Sequence, residues 1–292
     1  MNQNEMLVAD FIDAVRLRGR SPHTLRTYRY SLDRYLRHVG DGELLKATPR
    51  TVRSFLAAEY AEGTAPASIV RFHGDVRAMY RWFVSEGEIL VSPVDRVPAP
   101  TAPVKPVPTV SPEDLRKLLA VKGNGRFNDH RNRLILLVLV DTGCRVGELL
   151  NMKLTDVNVT ANTVTISGKS GPRTVGFGAR TATELRRYLR ARSGHKHRDL
   201  PDLFLTTQGA MNYKALQPVV TRYCQRAGVA HVHPHRFRHT WATAQLGTDA
   251  GELTVQHAGG WTGTASMKRY VREATARRAA ELNKRHSIAD NL

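Results

Sequence analysis

Seven of the fourteen prolines fall within one short stretch, VSPVDRVPAPTAPVKPVPTVSP: Pro93, Pro98, Pro100, Pro103, Pro106, Pro108 and Pro112. Each fixes its own φ and removes a backbone donor, so the stretch fits neither one helix nor a central strand. It reads as an extended, semi-rigid linker. The boundaries it sets are a first domain over 1–97, a linker over 98–107 and a second domain over 108–292. A chain of 292 residues has room for two cores of ordinary size.

The first domain reads as helices only. Ser21-Pro22 and Thr48-Pro49 are N-caps followed by proline at the first helical position. Behind the first, Leu25, Tyr28, Leu32, Tyr35, Leu36 and Val39 recur at three and four residues. Behind the second come Val52, Phe55, Leu56 and Tyr60. A third helix after Thr64 carries Ile69, Phe72, Val76, Met79, Tyr80 and Phe83. The opposite faces carry Arg20, Arg26, Arg29, Arg34, Arg71, Arg77 and Arg81. A small helical bundle with a basic side is the simplest picture, and a solvated arginine face is the plain alternative.

The second domain opens on SPED, a capping-box variant, and continues into an apolar helix over 131–141. Next, Val157 and Val159, Val164 and Ile166, and Val175 and Phe177 alternate between turn signals. This predicts a small three-stranded antiparallel sheet. Helical patterns resume over 181–192, 213–227, 235–246, 250–257 and 264–285.

Charge points to the partner. Lys and Arg number 44 against 26 acids, a formal net charge of +18. A polyanion such as DNA or RNA answers that excess better than a membrane does. The longest apolar run, LILLVLV at 134–140, is about a third of a membrane span. MNQNEMLVADF carries no basic-then-apolar leader, and the only cysteines are Cys144 and Cys224. A reducing cytoplasm is the expected location.

Chemistry concentrates at five places in the second domain. Arg145 follows a glycine turn in DTGCRVGELL, with Glu148 one turn on. Lys169 sits in the hairpin turn of SGKSGPR. In HVHPHRFRHTW, His235, Arg238 and His239 share one helix face at i, i+3 and i+4. Trp261 follows two glycines, and Tyr270 stands nine residues later on a helix. Four histidines within nine residues raise the question of a metal. The stretch contains no cysteine, no acid and no zinc-like spacing, so no metal and no cofactor are expected.

Taken in order, these motifs resemble those of the tyrosine recombinase (phage integrase) family over nearly the whole chain. SPHTLRTYRYSLDRYLRHV is similar to the start of that family's core-binding domain, and HPHRFRHTWAT to its His-x-x-Arg motif. Many members carry a histidine where Trp261 stands, and a minority carry tryptophan. The resemblance implies a mainly α fold. A SAM-like helical core-binding domain would precede a mixed α/β catalytic domain with the three-stranded sheet. It also implies a site-specific recombinase that cuts DNA through a covalent 3′-phosphotyrosyl intermediate, without ATP.

In that reading Tyr270 is the nucleophile. Arg145 and Arg238 clamp the phosphate oxygens, since two fixed guanidinium groups suit the charge built there. His235 handles the tyrosine proton, Lys169 protonates the leaving oxygen, and Trp261 packs against the tyrosine helix. Glu148 supports Arg145 from behind. His239 reads as a structural helix residue, and Cys144 as a small buried hydrophobe. Arg20, Arg26, Arg29, Arg71, Arg77 and Arg81 would contact DNA.

The expected partners are double-stranded attachment sites, a homotetramer on two of them, and an excisionase-type accessory factor as an optional addition. The arm-binding domain of larger integrases is not expected ahead of this core-binding domain. Integration of a phage or mobile element is the favoured role. An Xer-type recombinase resolving chromosome or plasmid dimers is the runner-up. A regulator that has lost catalysis and a type IB topoisomerase are the rivals from other classes.

Overall fold

The computed structural model describes residues 2–103, 108–168, 170–248, 250–263, 267–286 and 289–291. Residues 104–107 of the proline segment, and Lys169, lie outside them. The chain divides into two units, Met1–Lys105 and Pro106–Leu292.

In the first unit, α1 (Gln3–Leu17), α2 (Pro22–Val39), α3 (Pro49–Ala61) and α4 (Pro66–Ser85) follow one another. The side chains of Ser21 and Thr48 accept from the backbone N–H of Thr24 and Thr51, and proline opens α2, α3 and α4. Leu32, Tyr35, Val52, Phe55, Ile69, Phe72, Val76 and Phe83 meet in one core. Within it the Tyr35 and Tyr80 hydroxyls lie 3.0 Å apart, and Tyr80 donates to the Leu44 carbonyl at 2.9 Å. Both phenols are thereby satisfied where burial would otherwise penalise them.

Two sequence readings are corrected in this unit. α1 precedes the first helix that the capping signals marked. Val8, Phe11, Ile12 and Val15 bury its inner face, and Asn2 with Glu5 forms a capping box. Arg34 leaves the free basic face: it donates to Glu59 and Glu62, each at 2.7 Å, tying α2 to α3.

The second unit begins with α5 (Pro112–Ala120), α6 (Phe127–Thr142) and α7 (Val146–Asn151). Next come β1 (Val157–Asn158), β2 (Thr163–Gly168) and β3 (Gly171–Gly176), antiparallel in the order β1-β2-β3. Val157 faces Val164, Val164 faces Val175, and Ile166 faces Arg173. α8 (Ala179–Ser193) follows, then a two-stranded ribbon of β4 (Leu205–Thr206) and β5 (Gly209–Ala210) that the alternation did not announce. Strands of two residues are too short to show a period.

α9 (Tyr213–Ala227), α10 (Pro234–Leu246), α11 (Glu252–Gly259) and α12 (Lys268–Arg285) complete the unit. α6 is buried along most of its length, and both α8 and α10 pack on it. α10 in turn packs against α11 and α12. It is therefore wedged between the core helix and the last helices, the position from which its polar side chains reach both. The fold is mainly α with small antiparallel sheets. Among the described residues no helix is long and apolar enough to cross a membrane.

Candidate active site

Proline at the first position of α10 sets the helix register, and the register sorts its side chains. Phe237, Arg238, His239, Trp241 and Ala242 point inward, while His235 on the first turn is exposed. Arg238 is only 2% exposed. Its Nη1 donates to the Gly143 carbonyl at 2.8 Å and its Nη2 to the Gly259 carbonyl at 2.6 Å. The Trp261 ring lies against the guanidinium, 4.3 Å from carbon to centroid. Burial, and then the positive charge of Arg145, pull the Arg238 guanidinium down to about 10. It stays a cation at neutral pH but is short of counter-charge, a state that a phosphate would relieve.

Arg145 caps α7 after the left-handed turn at Gly143 (φ 57°). Its backbone N–H and Nη1 both donate to Glu148, at 2.8 and 2.7 Å, and its Nη2 donates to the Gly260 carbonyl at 3.1 Å. Its side chain is 41% exposed. Glu148 is buried beneath it and also takes both terminal nitrogens of Arg173. Burial works to raise the Glu148 carboxyl. The hydrogen bonds from Arg173 and Arg145 outweigh it and leave the group below its ordinary value.

Tyr270 sits on the first turn of α12 and is 1% exposed. Its hydroxyl shares a 2.7 Å hydrogen bond with Nδ1 of His239. Its ring lies 5.5 Å from that of Trp261. Gly260 makes this approach feasible. It holds φ at +63°, and a Cβ there would lie 2.7 Å from an Arg173 guanidinium nitrogen. The turn therefore runs tight against Arg173 and delivers Trp261 between Arg238 and Tyr270.

Arg145, Glu148 and Trp261 border one cleft, and the buried Arg238 and Tyr270 both lie against the Trp261 ring. The cleft's volume is about 840 Å³, and Arg145, Glu148, Asn151, Ser170, Gly260 and Trp261 line it. Lys169 lies outside the described residues. Its neighbour Ser170 donates to the Gly260 carbonyl at 3.3 Å. Burial pushes the Cys144 thiol up to about 11, so the residue beside Arg145 is no thiolate.

Two residues differ from the sequence reading. His239, which reads as a structural helix residue, places its Nδ1 on the tyrosine hydroxyl; His235 lies one turn back, its ring 4.4 Å from that of His239. Both positions are on the same helix face, so i, i+4 spacing alone could not rank them. Arg173 stands in none of the motifs, although it alternates with Val175 in β3, and that alternation is a legible sign of an inward side chain. Of the arginines assigned to DNA, Arg20, Arg26, Arg29, Arg71 and Arg81 are exposed. The Arg71 guanidinium lies over the rings of Tyr30 and Phe72. Arg77 is half-buried with Nε 3.6 Å from Asp95, which makes it the weakest of the six for that role.

Residues 108–277 match the model of the phage integrase family, and residues 8–87 match its N-terminal SAM-like domain. The chain belongs to the tyrosine recombinases. This recombinase is 30% identical over 283 residues to tyrosine recombinase XerC of Oceanobacillus iheyensis, covering 93% of this chain and 92% of that protein. It is 30% identical to tyrosine recombinase XerA of Pyrococcus furiosus over 98% of this chain and 96% of that one. Among solved structures, XerH bound to palindromic difH in a post-cleavage complex has a similar fold. The TM-score is 0.77 and the identity 21%, over 94% of this chain and 82% of that one. The recombinase is accordingly an enzyme that cleaves and rejoins DNA strands.

Proposed function

We propose that the recombinase opens one strand of a DNA site by attack of the Tyr270 hydroxyl on a backbone phosphorus. The observation that carries this reading is the 2.7 Å hydrogen bond between Tyr270 and His239, beside the guanidinium of Arg238. A free tyrosine ionises near about pH 10, so the hydroxyl needs a proton acceptor at neutral pH. His239 Nδ1 is at hydrogen-bond distance to take that proton. The Oη–phosphorus bond forms, the bond from phosphorus to the 5′-oxygen breaks, and Lys169 protonates the departing oxygen. Arg145 and Arg238 hold the non-bridging oxygens, where the charge builds. His235, exposed one turn before His239, faces the DNA. Because Tyr270 is covered in this state, DNA binding must first open the cleft to the phosphate. Energy stored in the phosphotyrosyl bond then drives religation.

Incubation with a nicked suicide site tests the chemistry. Wild type is expected to form a covalent adduct that survives denaturation, with and without EDTA, and Tyr270→Phe to form none. An adduct in the Tyr270→Phe protein would overturn the assignment.

The names of the relatives favour an Xer-type role over integration of a phage or mobile element. In this reading four protomers join two like sites. Sequencing the DNA that the protein joins in its native host separates the two: like sites on host DNA for the first, element–chromosome junctions for the second.

A further inference from the structure

Arg173 is out of character for its place in the sheet. It faces Ile166 across the ladder, shares its side of β3 with Val175, and is 5% exposed. An apolar side chain is the ordinary occupant of such a position, because burying a cation is costly unless every donor is satisfied. Here its donors reach two other elements, α7 and α11. Nη1 and Nη2 fork onto the two oxygens of Glu148 at 3.2 and 2.9 Å, and Nε donates to the Ala258 carbonyl in α11 at 2.7 Å.

The same two carboxylate oxygens receive Arg145, Oε1 from its Nη1 and Oε2 from its backbone N–H. Glu148 therefore sits between two guanidinium groups. The buried one fixes the carboxylate, and the carboxylate fixes the half-exposed one. Arg145 reaches the cleft on a long side chain with several rotatable bonds, so its aim depends on this backing. Arg173 also lies against Gly260, whose carbonyl is the other partner of Arg145. Both anchors of Arg145 thus rest on the same buried side chain.

We propose that Arg173 is a positioning residue for strand cleavage: through Glu148 and the Gly260 turn it holds the Arg145 guanidinium in the geometry that meets the scissile phosphate. The proposal rests on the reading of Arg145 as a phosphate clamp.

Its test compares Arg173→Met with Arg145→Ala on suicide sites whose scissile phosphate is a normal diester or either diastereomer of a methylphosphonate. The methyl group removes the charge that a clamp would meet. Arg173→Met is expected to slow adduct formation on the diester by about 10–100-fold, the usual range for a residue behind a ligating group. Its losses across the three substrates should run parallel to those of Arg145→Ala, shrinking where the latter shrink. Equal loss on all three while Arg145→Ala discriminates, or cleavage at the wild-type rate, overturns the proposal.

Should urea titration show that Arg173→Met does not fold, Arg173→Lys takes its place. It keeps the charge without the fork, and its smaller losses should follow the same profile. Failure of both variants to fold makes Arg173 a purely structural residue and also overturns the proposal. Failure of the underlying reading looks different: wild type forms no adduct, or Arg145→Ala cleaves as wild type does.

Discussion

His239 and Glu148 make the two sharpest demands on the site. His239 touches the nucleophile, so His239→Gln should slow adduct formation by about 10²–10⁴-fold, the usual span for a positioned proton acceptor. His235→Gln, one turn nearer the helix start, should cost less. Single-turnover cleavage on a suicide site measures both, and equal losses would return the acceptor role to His235. Glu148 gives a pH signature. Its folded-state pKa lies below the ordinary 4.5, so its contribution to stability is present above that value and disappears as pH falls through the folded pKa. The gap in urea midpoint between wild type and Glu148→Gln should therefore be widest near neutrality and narrow below about pH 4.5. A gap that stays constant down to pH 3.5 would mean that the carboxylate charge is not its source.

At the scale of elements, the decisive piece is the turn between α11 and α12, where a left-handed glycine lets the chain pass close to Arg173 and present Trp261. Gly260→Ala adds the left-handed backbone cost of about 1–2 kcal/mol and pushes on Arg173 as well. Urea unfolding should show that loss, and cleavage should fall with it. Most helices of both units were legible because their signals are local. Ser21, Thr48 and Ser111 accept as N-caps with proline next in each case, and β2 and β3 alternate as their residues suggest. α1 carries an equally local signal in Asn2, Glu5 and the spacing of Val8, Phe11, Ile12 and Val15. What stayed hidden depends on tertiary contact. His235 and His239 look alike on a helical wheel, and it is the packing of α12 on α10 that brings His239 onto Tyr270. Arg173 was masked by a different prejudice: a charged residue in a hairpin reads as solvated, whereas the pleat turns this one inward to a buried carboxylate.

For the whole molecule, the excess of 44 basic over 26 acidic side chains should be expressed as a salt dependence of DNA binding. Much of that charge is already committed: Arg34 to two glutamates, Arg192 to four backbone carbonyls, Arg173 to Glu148. Arg20, Arg26, Arg29 and Arg81 are exposed side chains of the first unit, and are the better candidates for phosphate contact there. Neutralising them singly to Gln should lower the slope of log affinity against log salt by up to about 0.9 for each that meets a phosphate. The loss should be similar for specific and random duplex, since such contacts carry no base information. Binding titrations at several salt concentrations measure the slope directly. If all four variants keep the wild-type slope, these arginines are a solvated face, and the DNA-facing surface of the first unit must be built from other residues.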